Sequence, residues 1–181
     1  ETEQGWSVLE EKSKNQFGYP VFIKPCCAGS SVGASKAANK EEFEKSVKEA
    51  FSWDDKILSE PFVKAREIEC SVIGNEKQTS FVPCEILPTH EFYDYEAKYK
   101  DPDGASFSIP ANLTEEQIAQ VKTLAEKAYK VLDASGLSRV DFFIDKENGN
   151  LMLNEINTMP GFTSISMFPQ MCNAGGLKYA D

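Results

Sequence analysis

The chain has 181 residues, and 19 lysines and arginines against 29 aspartates and glutamates give it a formal charge of −10. That length suits one ordinary domain or two small lobes sharing a cleft. A composition 41% hydrophobic and 27% charged belongs to a folded globular chain rather than a disordered one. The charge argues against a protein that holds nucleic acid by electrostatics alone. No apolar run approaches the roughly 20 residues of a bilayer span, and no signal-peptide pattern opens the sequence, so no membrane role is expected. A small anionic ligand stays compatible, because backbone amides and a few lysines can hold phosphate inside an acidic chain. The five cysteines, Cys26, Cys27, Cys70, Cys84 and Cys172, include no CxxC pair. They read as reduced thiols of a cytoplasmic protein, not as a disulfide frame or a zinc site.

Residues 1–16 are polar, with Trp6, Val8 and Leu9 as anchors, and read as a helix or an arm. Val21-Phe22-Ile23 is a short apolar strand ending at Lys24-Pro25, followed by the small-residue stretch Ala28 to Gly33. Asn39 and Glu42 form a capping-box signature, and Phe43, Val47 and Phe51 at helical spacing predict a helix from about 40 to 51. Lys56 to Ser59 reads as a strand stopped by Glu60-Pro61. From Arg66 the alternation puts Ile68, Cys70 and Val72 on one face and Glu67, Glu69 and Ser71 on the other, with a turn at Gly74-Asn75 and a partner strand from Ser80 to Leu87. Residues 88–110 have no sustained period, and an aperiodic stretch of that length is usually functional or mobile. Thr114 and Gln117 cap a long helix with Ile118, Val121, Ala125, Ala128 and Leu132 on its apolar face, ended by Gly136. A hairpin follows, Arg139 to Asp145 and Leu151 to Asn157, turned through Glu147-Asn148-Gly149. Pro160-Gly161 breaks it.

Chemistry concentrates in that hairpin. Strand periodicity puts Arg139 and Asp141 on one face, with Val140, Phe142 and Ile144 on the other, and puts Glu155 and Asn157 with Leu151 and Leu153. If the polar faces coincide, Asp, Glu and Asn oxygens converge as hard donors of the kind Mg²⁺ takes; a solvated face carrying an Arg–Asp ion pair is the structural alternative. Ala28 to Gly33 after Lys24 could cradle phosphate, although it is neither a Walker A loop nor GxGxxG, or it is a plain connecting loop. Glu60-Pro61-Phe62-Val63, with Glu67 beyond, could grip an adenine and a ribose or simply link two lobes. The aromatic run Phe92 to Tyr99 either serves a ligand or pins the loop. His90 has no nucleophile motif around it, and Cys26 and Cys27 have no base to activate them.

Taken together, Phe22-Ile23-Lys24-Pro25, Gly29-Ser30-Ser31-Val32-Gly33, FYDYEAKY from Phe92 to Tyr99, Arg139-Val-Asp141 and LNEINTMPGFTSISMFP from Leu153 to Pro169 resemble the D-alanine–D-alanine ligases over about residues 18–176. The resemblance implies an α+β ATP-grasp fold, with two lobes of mainly antiparallel sheet sandwiching a nucleotide. A partial central lobe would occupy residues 1–62 and a C-terminal lobe residues 63–181, with 88–110 as a lid. It implies that Lys24, Ser30 and Ser31 contact the ATP phosphates. Glu60 and the Phe62-Val63 backbone would hold adenine, Glu67 the ribose, and Phe92 would stack on the purine. Asp141, Glu155 and Asn157 would carry two Mg²⁺ ions, or Mn²⁺. Arg139 and the Gly161 N–H would stabilise the tetrahedral oxyanion, Ser30 would join a network with Tyr99, and Lys98 and Ser166 would hold the second D-alanine's carboxylate.

The implied product is D-alanyl-D-alanine for peptidoglycan, made through a D-alanyl phosphate by a protein that is a homodimer at full length. Relatives that use D-lactate lack the Lys98-Tyr99 pair, and those that use D-serine carry arginine where Met167 stands, so the D-alanine type is expected. Nothing matches the family's N-terminal domain, its closing helix or a second ATP-contacting lysine (Lys12 and Lys14 lie in an unmatched stretch). The chain is therefore expected to be a piece of the ligase, inactive alone. A nucleotide-binding module without ligase activity and another ATP-grasp carboxylate–amine ligase are the alternatives.

Overall fold

Helix α1 (Glu3–Phe17) opens the chain, and the computed structural model describes residues 3–88 and 105–181. The described residues fall into two units, 3–63 and 64–88 with 105–181. In the first, β1 (Val21–Pro25) is the centre of a three-stranded antiparallel sheet, between β2 (Ser35–Ala37) and β3 (Ile57–Pro61). Alternation in β1 buries Val21 and Ile23 against Phe43, Val47 and Ala50 of α2 (Lys40–Phe51), with Trp6, Tyr19, Phe51 and Ile57 packed around them. The predicted box forms only in part: Asn39 Oδ1 accepts from the Glu42 N–H at 3.0 Å, but the Glu42 carboxylate accepts from the N–H of Ala38 at 2.8 Å and not from that of the cap residue Asn39.

The second unit is built on a six-stranded antiparallel sheet. Strands run β7 (Ala105–Ser108), β6 (Cys84–Pro88), β4 (Ala65–Gly74), β8 (Gly136–Asp145) and β9 (Leu151–Asn157), with β5 (Thr79–Ser80) paired to the end of β4. Helix α3 (Glu115–Val131) covers the face that carries Ile68, Cys70, Val72, Val140, Phe142 and Ile144. Its Tyr129, fully buried, donates its hydroxyl to the Gly74 carbonyl at 2.7 Å. Helix α4 (Met167–Ala174) packs on the opposite face beside Ile73 and Leu137, where Ser71 Oγ donates to the Phe168 carbonyl at 3.0 Å.

Several expectations change. Glu60-Pro61 does not stop β3: both residues continue the strand, Glu60 opposite Phe22 and Pro61 opposite Val21 of β1. The partner strand expected over Ser80 to Leu87 is two pieces: the Phe81 N–H still donates to the Ser71 carbonyl of β4 at 3.0 Å, but proline has no N–H to continue the ladder, and the Pro83 carbonyl accepts instead from the Ala111 N–H at 2.7 Å. The aperiodic stretch contains a strand, β7, paired with β6. Gly136 does not end α3. The helix stops at Val131, Asp133 takes the left-handed turn with φ 52°, and Gly136 (φ 79°) begins β8 opposite Gly74. A short α4 follows Ser166, a helix the sequence reading omits.

The last change concerns the parity of β9. Asp141 pairs with Glu155 but Phe142 with Leu153, so Asn154 is an extra residue in a β-bulge. Glu155 and Asn157 therefore share a face with Asp141 and Arg139, whereas Leu153 and Leu151 pair with Phe142 and Ile144 on the helix-covered side.

Candidate functional site

The face of the first sheet turned away from α2 carries the candidate phosphate and base contacts. Phe22 is opposite Lys36 on β2 and Glu60 on β3, and Lys24 follows two residues along. Lys24 Nζ lies 2.9 Å from Glu60 Oε2, and the Lys36 ammonium stands 4.3 Å above the Phe62 ring. Phe62 N–H donates to the Pro20 carbonyl at 3.2 Å, which fixes the chain leading to Val63. Lys36 is a cation on this face that the sequence reading passed over; its alternation with the buried Ala37 in β2 was the available signal.

Between β1 and β2, Ser30 and Ser31 both adopt positive φ, 57° and 60°. Non-glycine residues rarely take that conformation, and it clusters at ligand-binding loops. Gly33 closes the segment at φ 68°, where a Cβ would stand 2.6 Å from Trp53 Cδ1 and 3.1 Å from Pro25 Cγ. Only glycine fits between the tryptophan and the proline there.

On the second unit the bulge assembles a polar face. Arg139 Nε donates to Asp141 Oδ1 at 2.7 Å and Nη2 to Oδ2 at 2.7 Å, a two-pronged pair. Glu69, opposite Asp141 across β4 and β8, brings Oε1 to 3.3 Å from Arg139 Nε. Burial pulls the Arg139 pKa down, but the bonds to Asp141 and the charges of Asp141, Glu69 and Glu155 outweigh it, so the guanidinium titrates above its usual range. Three carboxylates thus face this guanidinium, and the arrangement carries an excess of negative charge suited to a further cation. Asn157 completes the group, its Oδ1 accepting from the Met159 N–H at 3.2 Å.

The donors are carboxylate and amide oxygens, the kind a hard divalent cation takes, so the residues fit Mg²⁺ in chemistry. Among the described residues, though, no three His, Cys, Asp or Glu side chains are already disposed around one ion position. Both Asp141 oxygens are turned to Arg139.

Beyond β9 the chain folds over at Gly161, where a Cβ would meet Ser166 Oγ at 3.0 Å. Ser166 Oγ accepts from the Thr163 N–H at 3.0 Å and lies 2.8 Å from Thr163 Oγ1, so Gly161 and Ser166 are held in one turn. Met167, next along, packs with its sulfur 3.8 Å from Cys84 Sγ. Glu67 lies on the same face of β4 as Glu69. Phe92, Lys98 and Tyr99, together with His90, lie outside the described residues. The five cysteines are free. Burial pushes the Cys70 and Cys84 thiols up to about 12 and Cys172 up to about 11, so these are packing residues and not nucleophiles.

Two units of this kind, one bearing the Lys24–Glu60 face and one the Arg139–Asp141 face, are the α+β architecture of the ATP-grasp proteins. Solved structures similar to the chain are a D-alanine–D-alanine ligase from Coxiella burnetii (TM-score 0.78, 35% identity, 98% of this chain and 45% of that one) and D-alanyl-alanine synthetase A from Vibrio cholerae (0.83, 35%, 99% and 54%). The VanG D-Ala:D-Ser ligase from Enterococcus faecalis is also similar (0.82, 35%, 96% and 50%). The chain belongs to the family described as D-ala D-ala ligase C-terminus, whose model matches residues 2–181. A D-alanine–D-alanine ligase of Treponema denticola is 56% identical over an alignment of 182 positions that covers 97% of this chain and 50% of that protein. The chain spans about half the length of the curated relatives it matches. No helix among the described residues is long and apolar enough to cross a membrane.

Proposed function

We propose that this chain belongs to a D-alanine–D-alanine ligase and carries its ATP-grasp machinery. The protein would join two D-alanines at the expense of ATP to give D-alanyl-D-alanine for peptidoglycan. The observation that carries the reading is the convergence, on one face of β8 and β9, of Arg139, Asp141, Glu155 and Asn157 in a chain of this family. A solvated surface has no need of three carboxylates gathered around a largely buried guanidinium.

In this reading ATP phosphorylates the carboxylate of one D-alanine. The amine of the second attacks the resulting acyl phosphate, and phosphate leaves from the tetrahedral intermediate. The protein's part is to position the reactants and to neutralise developing negative charge. Within the first unit, Lys24, Ser30 and Ser31 contact phosphate, while Glu60 and the backbone of Phe62 and Val63 hold the base. Within the second, Glu67 takes the ribose, Arg139 and the Gly161 N–H face the oxyanion, and Ser166 holds the acceptor's carboxylate. Phe92, Lys98 and Tyr99 complete the purine, acceptor and Ser30 contacts. Asp141, Glu155 and Asn157 would hold Mg²⁺, which when bound neutralises phosphate charge. Met167 rather than arginine beside Ser166 favours D-alanine as acceptor over D-serine.

Calorimetric titration with ATP in the presence and absence of Mg²⁺ tests the reading. Binding should require Mg²⁺ and weaken by at least about tenfold in Glu155→Ala. Binding that ignores both the metal and the substitution would remove the hairpin from the site.

A further inference from the structure

Glu69 and Asp141 are register partners on adjacent strands, so two carboxylates face each other across the sheet. Like charges in that position repel. Arg139 relieves the repulsion, with both prongs on Asp141 at 2.7 Å and Nε at 3.3 Å from Glu69 Oε1. The relief has a consequence for metal binding. A divalent cation that takes Asp141 as a ligand must compete with Arg139, because both Asp141 oxygens already accept from it. Displacing a guanidinium that is largely withdrawn from water is strongly unfavourable unless another acid receives it. Glu69, only 5% exposed, stands within reach on the other side.

We propose that Glu69 is a positioning residue that receives Arg139 when a divalent cation takes Asp141. The guanidinium then stays in the site, and the metal gains Asp141 without stranding a buried charge. This rests on the reading of Asp141 as a metal ligand and goes beyond it. Glu69 touches neither metal nor substrate, and it acts by setting where Arg139 rests. In the sequence it is one more polar residue in the Glu67, Glu69, Ser71 alternation, and only the pairing of β4 with β8 brings it to Asp141.

The test is a Mn²⁺ titration of the full chain, alone and with ATP, followed by the electron paramagnetic resonance of free Mn²⁺. It compares wild type, Glu69→Gln, Arg139→Met, the double variant and Asp141→Asn, with a thermal melt for each. Glu69→Gln should weaken Mn²⁺ binding roughly tenfold, and Arg139→Met should tighten it by removing the competitor. In the Arg139→Met background the Glu69→Gln effect should vanish, a non-additivity that a merely structural role would not produce. Should Glu69→Gln fail to fold, Glu69→Asp keeps the charge one methylene short and should show a smaller loss with the same dependence on Arg139.

Unchanged Mn²⁺ affinity in Glu69→Gln, with binding lost in Asp141→Asn, would overturn the role of Glu69 and leave the metal reading standing. Equal weakening in both backgrounds would also overturn it, by making Glu69 independent of Arg139. Absence of Mn²⁺ binding by wild type with and without ATP would overturn both.

Discussion

The Asp54 carboxylate pins the turn that follows β1 to the start of β3. Oδ2 accepts from the Cys27 N–H at 2.6 Å and Oδ1 from the Lys56 N–H at 3.1 Å. The bonds from Lys56 and Cys27 hold its pKa below the usual aspartate value. By linkage, its contribution to the fold is present above the ordinary aspartate range and is lost as pH falls through the lowered native value. The same charge acts in the other direction on its neighbour. Asp54, by its field first and its hydrogen bond second, pushes the Cys27 thiol above its ordinary pKa. Cys27 is exposed, so access does not protect it; its protonation does. Asp54→Asn should therefore bring the Cys27 pKa down and speed its alkylation by iodoacetamide at mildly alkaline pH by several-fold. Peptide mass spectrometry on the Cys27 site reads the rate, and an unchanged rate would mean that another group controls the thiol.

Elements whose signals are local were legible before any pairing was known. The Thr114 box is the strongest instance. Its Oγ1 accepts from the Gln117 N–H at 3.2 Å, and Gln117 Oε1 accepts from the Thr114 N–H at 3.1 Å. Two otherwise orphaned donors at the head of α3 are satisfied by two side chains three positions apart, which is why the start could be read. Thr114→Ala should destabilise the second unit by about 1 kcal/mol, visible as a lower urea midpoint at unchanged slope. No shift would mean that water caps the helix as well as threonine does. Where the signal is short or ambiguous, the reading failed. Helix α4 has only 8 residues, with Phe168, Met171 and Cys172 as its buried side and Pro169 inside its first turn, too little to establish a period. The bulge at Asn154 is invisible to periodicity, because an extra residue looks like a continued strand until its partner is known. Without it, Glu155 and Leu153 belong to one face; with it, they do not.

Across the whole molecule the gap lies in non-local pairing. The faces of β4 and β8 could each be read from alternation, but nothing in 64–74 says that its partner is 136–145. The meeting of Glu69 with Asp141, like that of Lys24 with Glu60, had to come from the fold. The hydrophobic clusters follow the two units. Val21, Ile23, Ala37, Phe43, Val47 and Ala50 form one, and the clusters around Phe142 and Phe168 lie wholly within 64–88 and 105–181. Each unit thus has its own core, and damage to one should stay there. Phe43→Ala removes the largest buried side chain of the first cluster, a loss of about 3–5 kcal/mol for a buried aromatic. Hydrogen exchange should then accelerate at the amides of β1, β2, β3 and α2, while those of β4, β8 and α3 keep their protection. If both sets accelerate together, the units unfold as one cooperative body, and the candidate sites on them share one stability rather than two.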